Sequence, residues 1–151
     1  MRIEVLGTSL TPHFSISEYG DKSVTVSYIN YNSMRHALLM ERLRQYLGKA
    51  IYVTSWYRTY STNKRVGGIV GSNHLKGCAT DCYIAGLNEA KFIEIAKYWK
   101  RLCKEFGVSG ECGYYPQQGF MHLGSCFANN PDYFVNWRTD SGGQHNGYYK
   151  L

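Results

Sequence analysis

The 151-residue chain is poor in proline, with three, and holds no run near the roughly 18 apolar residues that a membrane-spanning helix requires. Integral membrane association is therefore not expected. Internal repeats of roughly 20–50 residues are absent as well, which excludes solenoids and propellers. The opening Met1-Arg2-Ile3-Glu4-Val5-Leu6-Gly7 lacks the apolar stretch of a secretory signal, so a chain made in the cytoplasm is expected. Acidic residues are fewer than basic ones, 11 against 17, leaving a net charge of +6. Such a balance favours anionic partners such as nucleic acid, anionic lipid or acidic cell-wall polymers. The basic residues are dispersed, however, and the densest group, Arg42-Leu43-Arg44, fits a solvated helix face.

Cysteine is present in odd number: Cys78, Cys82, Cys103, Cys112 and Cys126. Without a secretory signal this points to reduced, buried thiols rather than a disulfide framework. Cys78-x3-Cys82 has the spacing of a structural zinc pair, but no second tight pair follows it, and buried thiols account for the set better.

What remains is a globular composition, 44% apolar, of a length that fits one domain. Ser33 is a candidate cap for a helix whose apolar positions are Ala37, Leu39, Met40, Leu43, Tyr46 and Leu47, with Gly48 as its stop. Residues 51–56 read as a strand, 57–71 as a polar basic loop, and 79–84 as a second strand. Asn88 caps a second helix with its apolar face at Phe92, Ile95, Ala96, Trp99, Cys103 and Phe106. Two hairpin strands follow near Glu111–Tyr115 and Phe120–Leu123. The expected architecture is a single α+β domain, a small antiparallel sheet with helices on one side. It spans residues 1–140, and 141–151 read as a mobile tail.

Chemistry concentrates in Ser72-Asn73-His74-Leu75-Lys76-Gly77-Cys78-Ala79-Thr80-Asp81. His74 offers a neutral nitrogen and Asp81 a hard oxygen, and Gly77 permits the turn that folds one back beside the other. His122, on the second hairpin strand, is a candidate third ligand, which would leave a fourth position open as catalytic zinc sites do. His13, His36 and His145 show no comparable partners in the sequence. Tyr57, Tyr60, Tyr114 and Tyr115 flank these motifs and suit stacking on a sugar or peptide, although strand propensity explains tyrosines equally well.

Ser72-x-His74-x-x-Gly77-x-Ala79-x-Asp81 followed by Gly119-Phe120-Met121-His122 resembles the zinc D-alanyl-D-alanine carboxypeptidase family, which includes cell-wall peptidases, phage endolysins and the hedgehog signalling domain. Phe14-Ser15-Ile16-Ser17-Glu18 looks like the opening of its small, often phage-encoded branch. Thr54-Ser55-Trp56-Tyr57-Arg58-Thr59, Asn63 to Gly68, Gly113-Tyr114-Tyr115-Pro116 and Trp137 extend the likeness in order. The resemblance implies zinc on His74, Asp81 and His122, and peptidoglycan peptides as substrate rather than nucleic acid. It also implies a role for Arg58 on a substrate carbonyl or carboxylate, with Ser72 either orienting the site or serving its turn. Relatives carry their base as a histidine two positions before the last ligand or a glutamate shortly before it. Phe120 and Gly119 stand there, so Glu111 is the candidate base. Many relatives also place an aspartate where this chain has Gly124. An enzyme reaching the wall by lysis or on a phage particle is expected; the alternative is an inactive zinc-stabilised binding module.

Overall fold

The computed structural model describes residues 2–21, 28–125 and 130–151. Three short strands, β1 (Arg2–Glu4), β2 (Ser9–Thr11) and β3 (Phe14–Ser15), lead into the one-turn helix α1 (Ile16–Tyr19). Strand β4 (Tyr28–Asn30) enters the long helix α2 (Tyr31–Leu47), followed by β5 (Tyr52–Ser55) and α3 (Tyr60–Arg65). A 3-10 turn (Asn73–Lys76) precedes β6 (Ala79–Tyr83) and the second long helix, α4 (Glu89–Glu105). The chain ends with β7 (Gly110–Tyr115), β8 (Phe120–Ser125), β9 (Phe134–Asp140) and β10 (Gly143–Asn146).

Six strands form one sheet in the order β10-β9-β7-β8-β6-β5. The α+β class holds, but the sheet is mixed rather than antiparallel, because β9 lies parallel to β7. Strand β8 runs back along β7, and the chain turns once more before β9, so β9 runs in the direction of β7. Within residues 141–151, read from the sequence as a tail, the chain forms the strand β10. Residues Gly143–Asn146 pair with β9, and the Asn136 side chain binds both the N–H and the carbonyl of the buried Tyr149.

Side chains of a strand alternate between faces, and here the alternation separates packing from chemistry. Cys112 and Tyr114 of β7, Met121 and Leu123 of β8, and Cys82 of β6 are buried in the core. They share it with Leu39, Met40 and Leu43 of α2 and with Phe92, Ile95, Ala96 and Trp99 of α4. Tyr114 stacks on Phe92 at 5.1 Å. The intervening positions, Glu111, Gly113 and Tyr115, Phe120, His122 and Gly124, and Asp81, fall on the other face.

Local chemistry sets the helix ends. Asn30, not Ser33, caps α2: its side chain accepts the Ser33 N–H at 2.8 Å, and the Ser33 hydroxyl instead meets Tyr19 OH at 3.0 Å. Gly48 closes that helix at φ 62°, a left-handed conformation that favours glycine. Asn88 caps α4 through the Lys91 N–H. The loop expected over 57–71 contains α3, capped by Thr59. The four described cysteines are buried and form no disulfide among the described residues; Cys126 lies outside them.

The three histidines set aside in the sequence do have partners. His13 contacts Glu41 at 2.8 Å and His145 contacts Asp140 at 2.9 Å. His36 is fully buried, bonded to Ser125 Oγ at 2.8 Å and Thr80 Oγ1 at 3.4 Å. Burial, with His122 and His74 nearby, holds its pKa well below the ordinary 6.5. The unfolded chain therefore takes up the proton first as pH falls. Stability from neutral His36 is complete above about pH 6.5 and declines below it, by up to about 1.4 kcal/mol per pH unit. Urea unfolding between pH 5 and 7.5 is expected to show this slope, and His36→Gln to flatten it.

Candidate active site

Ser72 opens the 3-10 turn, its hydroxyl accepting the His74 N–H at 3.3 Å, and Gly77 closes the turn at φ 71°. A Cβ at Gly77 would overlap Ser33 Oγ, so both space and backbone require glycine there. The turn presents His74 with Nδ1 2.6 Å from the Trp56 carbonyl. A carbonyl can only accept, so Nδ1 carries the hydrogen and the neutral ring offers its lone pair at Nε2. Nε2 lies 3.3 Å from Asp81 Oδ2.

Cross-strand pairing brings in the next two groups. Asp81 of β6 sits directly opposite His122 of β8, and its Oδ1 receives His122 Nδ1 at 2.9 Å. The His74 and His122 rings stand 5.2 Å apart and nearly perpendicular. The ligating atoms of His74, Asp81 and His122 all lie within 4.8 Å of one another, and no other such group occurs among the described residues. Two imidazoles and one carboxylate, with one tautomer fixed by a carbonyl, match the donor chemistry of a three-ligand zinc site. The residues fit the metal.

Glu111 completes the cluster. Its Oε1 lies 2.8 Å from His122 Nε2 and accepts Asn73 Nδ2 at 3.0 Å. Glu111 pairs across the sheet with Gly124, where a Cβ would overlap the glutamate side chain. The aspartate position of the resemblance is thus occupied in space by the Glu111 carboxylate, arriving from the neighbouring strand. Gly113 has a similar use: a Cβ there would overlap the Trp137 indole, whose ring sits 5.2 Å from that of His122.

The electrostatics follow from mutual hydrogen bonding. Burial would raise the Asp81 pKa, but the bond from His122 and the adjoining His74 ring hold it well below the usual carboxylate range. Glu111 is lowered likewise: burial opposes the shift, and His122 and Asn73 outweigh it. Burial would lower the His122 pKa, yet hydrogen bonds to Asp81 and Glu111 raise it to about 9.

Arg58 joins the site through Asp81, donating from Nη2 to Oδ2 at 2.8 Å and from Nε to Ser55 Oγ at 2.9 Å. Ser72 also lines the cleft, although its hydroxyl serves the turn. Tyr57 does not line it. It stacks on Tyr19 at 5.7 Å and packs against the core. The cleft holds about 560 Å³, and among its walls are Tyr115, Phe120 and Trp137, together with Gln144 from β10. Asn73, the Trp56 carbonyl and Gln144 were not legible as site groups. Asn73 adjoined the motif without a partner in sequence, and a backbone carbonyl leaves no residue-type signal.

Elemental mass spectrometry of zinc-reconstituted protein is expected to find about one zinc per chain, lost in His74→Ala. Without metal, the part of the stability that His122 contributes through its raised pKa is complete below about pH 6.5. It is lost as pH rises through about 9, which urea titration across that window checks.

Residues 13–124 match the family model described as Peptidase M15. No curated protein matches the chain, and no solved structure does. The matched span is more than half of the sequence and contains Arg58, His74, Asp81, Glu111 and His122. The chain belongs to the Peptidase M15 family.

Proposed function

We propose that this metallopeptidase is zinc-dependent and hydrolyses peptide bonds in the stem peptides or cross-bridges of bacterial peptidoglycan. The observation that carries the reading is the convergence of His74, Asp81 and His122 beside the Glu111 carboxylate within one cleft. The family is typically zinc-dependent, which supports the metal. When bound, zinc polarises a scissile carbonyl and lowers the pKa of water towards about 7.

The chain's own residues supply the rest. Glu111 Oε1 is held by His122 and Asn73, which leaves Oε2 to take a proton from the attacking water and return it to the leaving amine. Arg58 binds and orients Asp81, and its remaining guanidinium donors suit a substrate carbonyl or carboxylate. A net charge of +6 favours approach to an acidic wall. Release by lysis or carriage on a phage particle would bring a cytoplasmically made chain to that wall.

One observation favours the alternative of an inactive binding module: the Glu111 carboxylate already serves His122 and Asn73 through Oε1. Glu111→Gln separates the readings on defined muropeptides. A peptidase loses about 10²–10⁴-fold in turnover while keeping zinc and thermal midpoint. Equal hydrolysis by the variant would remove Glu111 as base, and no hydrolysis by the zinc-loaded wild type would favour the module.

A further inference from the structure

The positive charge of the chain is not spread evenly over the fold. Helix α2 with the two residues after it, and helix α4, hold nine basic side chains against four acidic ones. They account for five of the six net positive charges. Both helices pack their apolar faces against the sheet, so this charge lies on the side of the molecule away from His74, Asp81 and His122. On that outer side, between the two helices, is a cavity of about 220 Å³. Tyr46 of α2 and Glu94, Lys97, Tyr98 and Arg101 of α4 line it, and it shares no lining residue with the catalytic cleft. The two tyrosine rings stack at 4.0 Å and within 10° of parallel, and the Arg101 guanidinium lies over Tyr98 at 5.0 Å. Tyr46 OH donates to Glu94 Oε1 at 3.1 Å, and Lys91 Nζ donates to the other carboxylate oxygen at 2.8 Å. Rings and carboxylate are thus fixed before a ligand arrives, which lowers the ordering cost of binding.

Lys97 and Arg101, about 6 Å apart along α4, form no ion pair among the described residues. Two such cations, a tyrosine face and a carboxylate that accepts hydroxyls suit a ligand that is anionic and rich in hydroxyl groups. We infer that this pocket binds a phosphate-bearing polyol or sugar polymer, the acidic component of a cell wall, and so holds the protein there while the cleft stays free. The inference rests on the wall as the place of action, not on the hydrolytic chemistry. Two features favour this occupant over other polyanions. Stacking covers one face of each ring and Arg101 lies over Tyr98, which leaves too little free ring for a run of nucleic-acid bases. No aliphatic side chain lines the pocket to enter a lipid layer.

The test is isothermal titration of the zinc-reconstituted full chain with poly(glycerol phosphate). This polymer contains no peptide bond, so a failure to hydrolyse muropeptides bears on the peptidase reading alone. Saturable binding is expected, weakening steeply between about 50 and about 200 mM salt. Lys97→Gln/Arg101→Gln is expected to weaken it about tenfold, and Tyr46→Leu by a smaller factor, with zinc content and thermal midpoint unchanged. Lys64→Gln/Arg65→Gln removes the same charge from α3 and is expected to leave the affinity within about twofold. No binding by wild type overturns the inference. Equal weakening by the two double variants also overturns it, because net charge alone would then explain the binding. A deoxythymidine oligonucleotide, or phosphatidylglycerol vesicles, bound more tightly than the polymer through Lys97 and Arg101 would overturn it in favour of nucleic acid or membrane.

Discussion

Everything in the site depends on the Asp81 carboxylate. It is largely buried on β6, the second strand of the six-stranded sheet in chain order, and burying a charge without partners is costly. Here three elements besides its own strand supply those partners. Arg58 comes from the segment after β5, His74 from the 3-10 turn, His122 from the facing strand β8, and Asp81 itself from β6. A carboxylate held this way stays ionised, so it can neutralise the cationic groups around it in the metal-free state and ligate a metal in the loaded one. The same contacts tie the two halves of the sheet to the motif-bearing turn.

The sheet's two-residue alternation makes this possible at low structural cost. One face of β6, β7 and β8 carries Cys82, Cys112, Tyr114, Met121 and Leu123 into the helices, and the other carries Asp81, Glu111 and His122. Two vacancies on the chemical face, Gly113 and Gly124, give the Trp137 indole and the Glu111 side chain their places. Behind the sheet, His36 and Trp56 connect core to site: their rings meet edge to face at 5.5 Å, and the Trp56 carbonyl fixes the His74 tautomer. Core packing and ligand orientation are therefore one problem in this fold.

Much of this was legible because it is local. The Asn88 cap and the apolar face of α4 follow from helical spacing, and the β7–β8 hairpin from its turn residues. The segment from His74 to Asp81 folds within ten residues, so its two zinc-competent groups were readable from spacing and His122 from its place on the hairpin. What escaped is non-local or carried by backbone. Strand β9 pairs in parallel with β7 only after crossing the hairpin, and β10 is ordered by β9, so neither has a signal of its own. Ser33 and Asn30 are both good caps, and the choice went to Asn30 because Tyr19 and the turn at residue 76 claim the Ser33 hydroxyl. Tyr57 looked available for a substrate beside Arg58, but its ring stacks on Tyr19, a contact 38 residues away in sequence.

The central claim is that His74, Asp81 and His122, rather than any of the cysteines, hold the metal on which peptide hydrolysis depends. Zinc X-ray absorption on the loaded protein tests it most directly. The account predicts a shell of nitrogen and oxygen at about 2.0–2.2 Å with imidazole scattering and no sulfur. A sulfur shell near about 2.3 Å would contradict it.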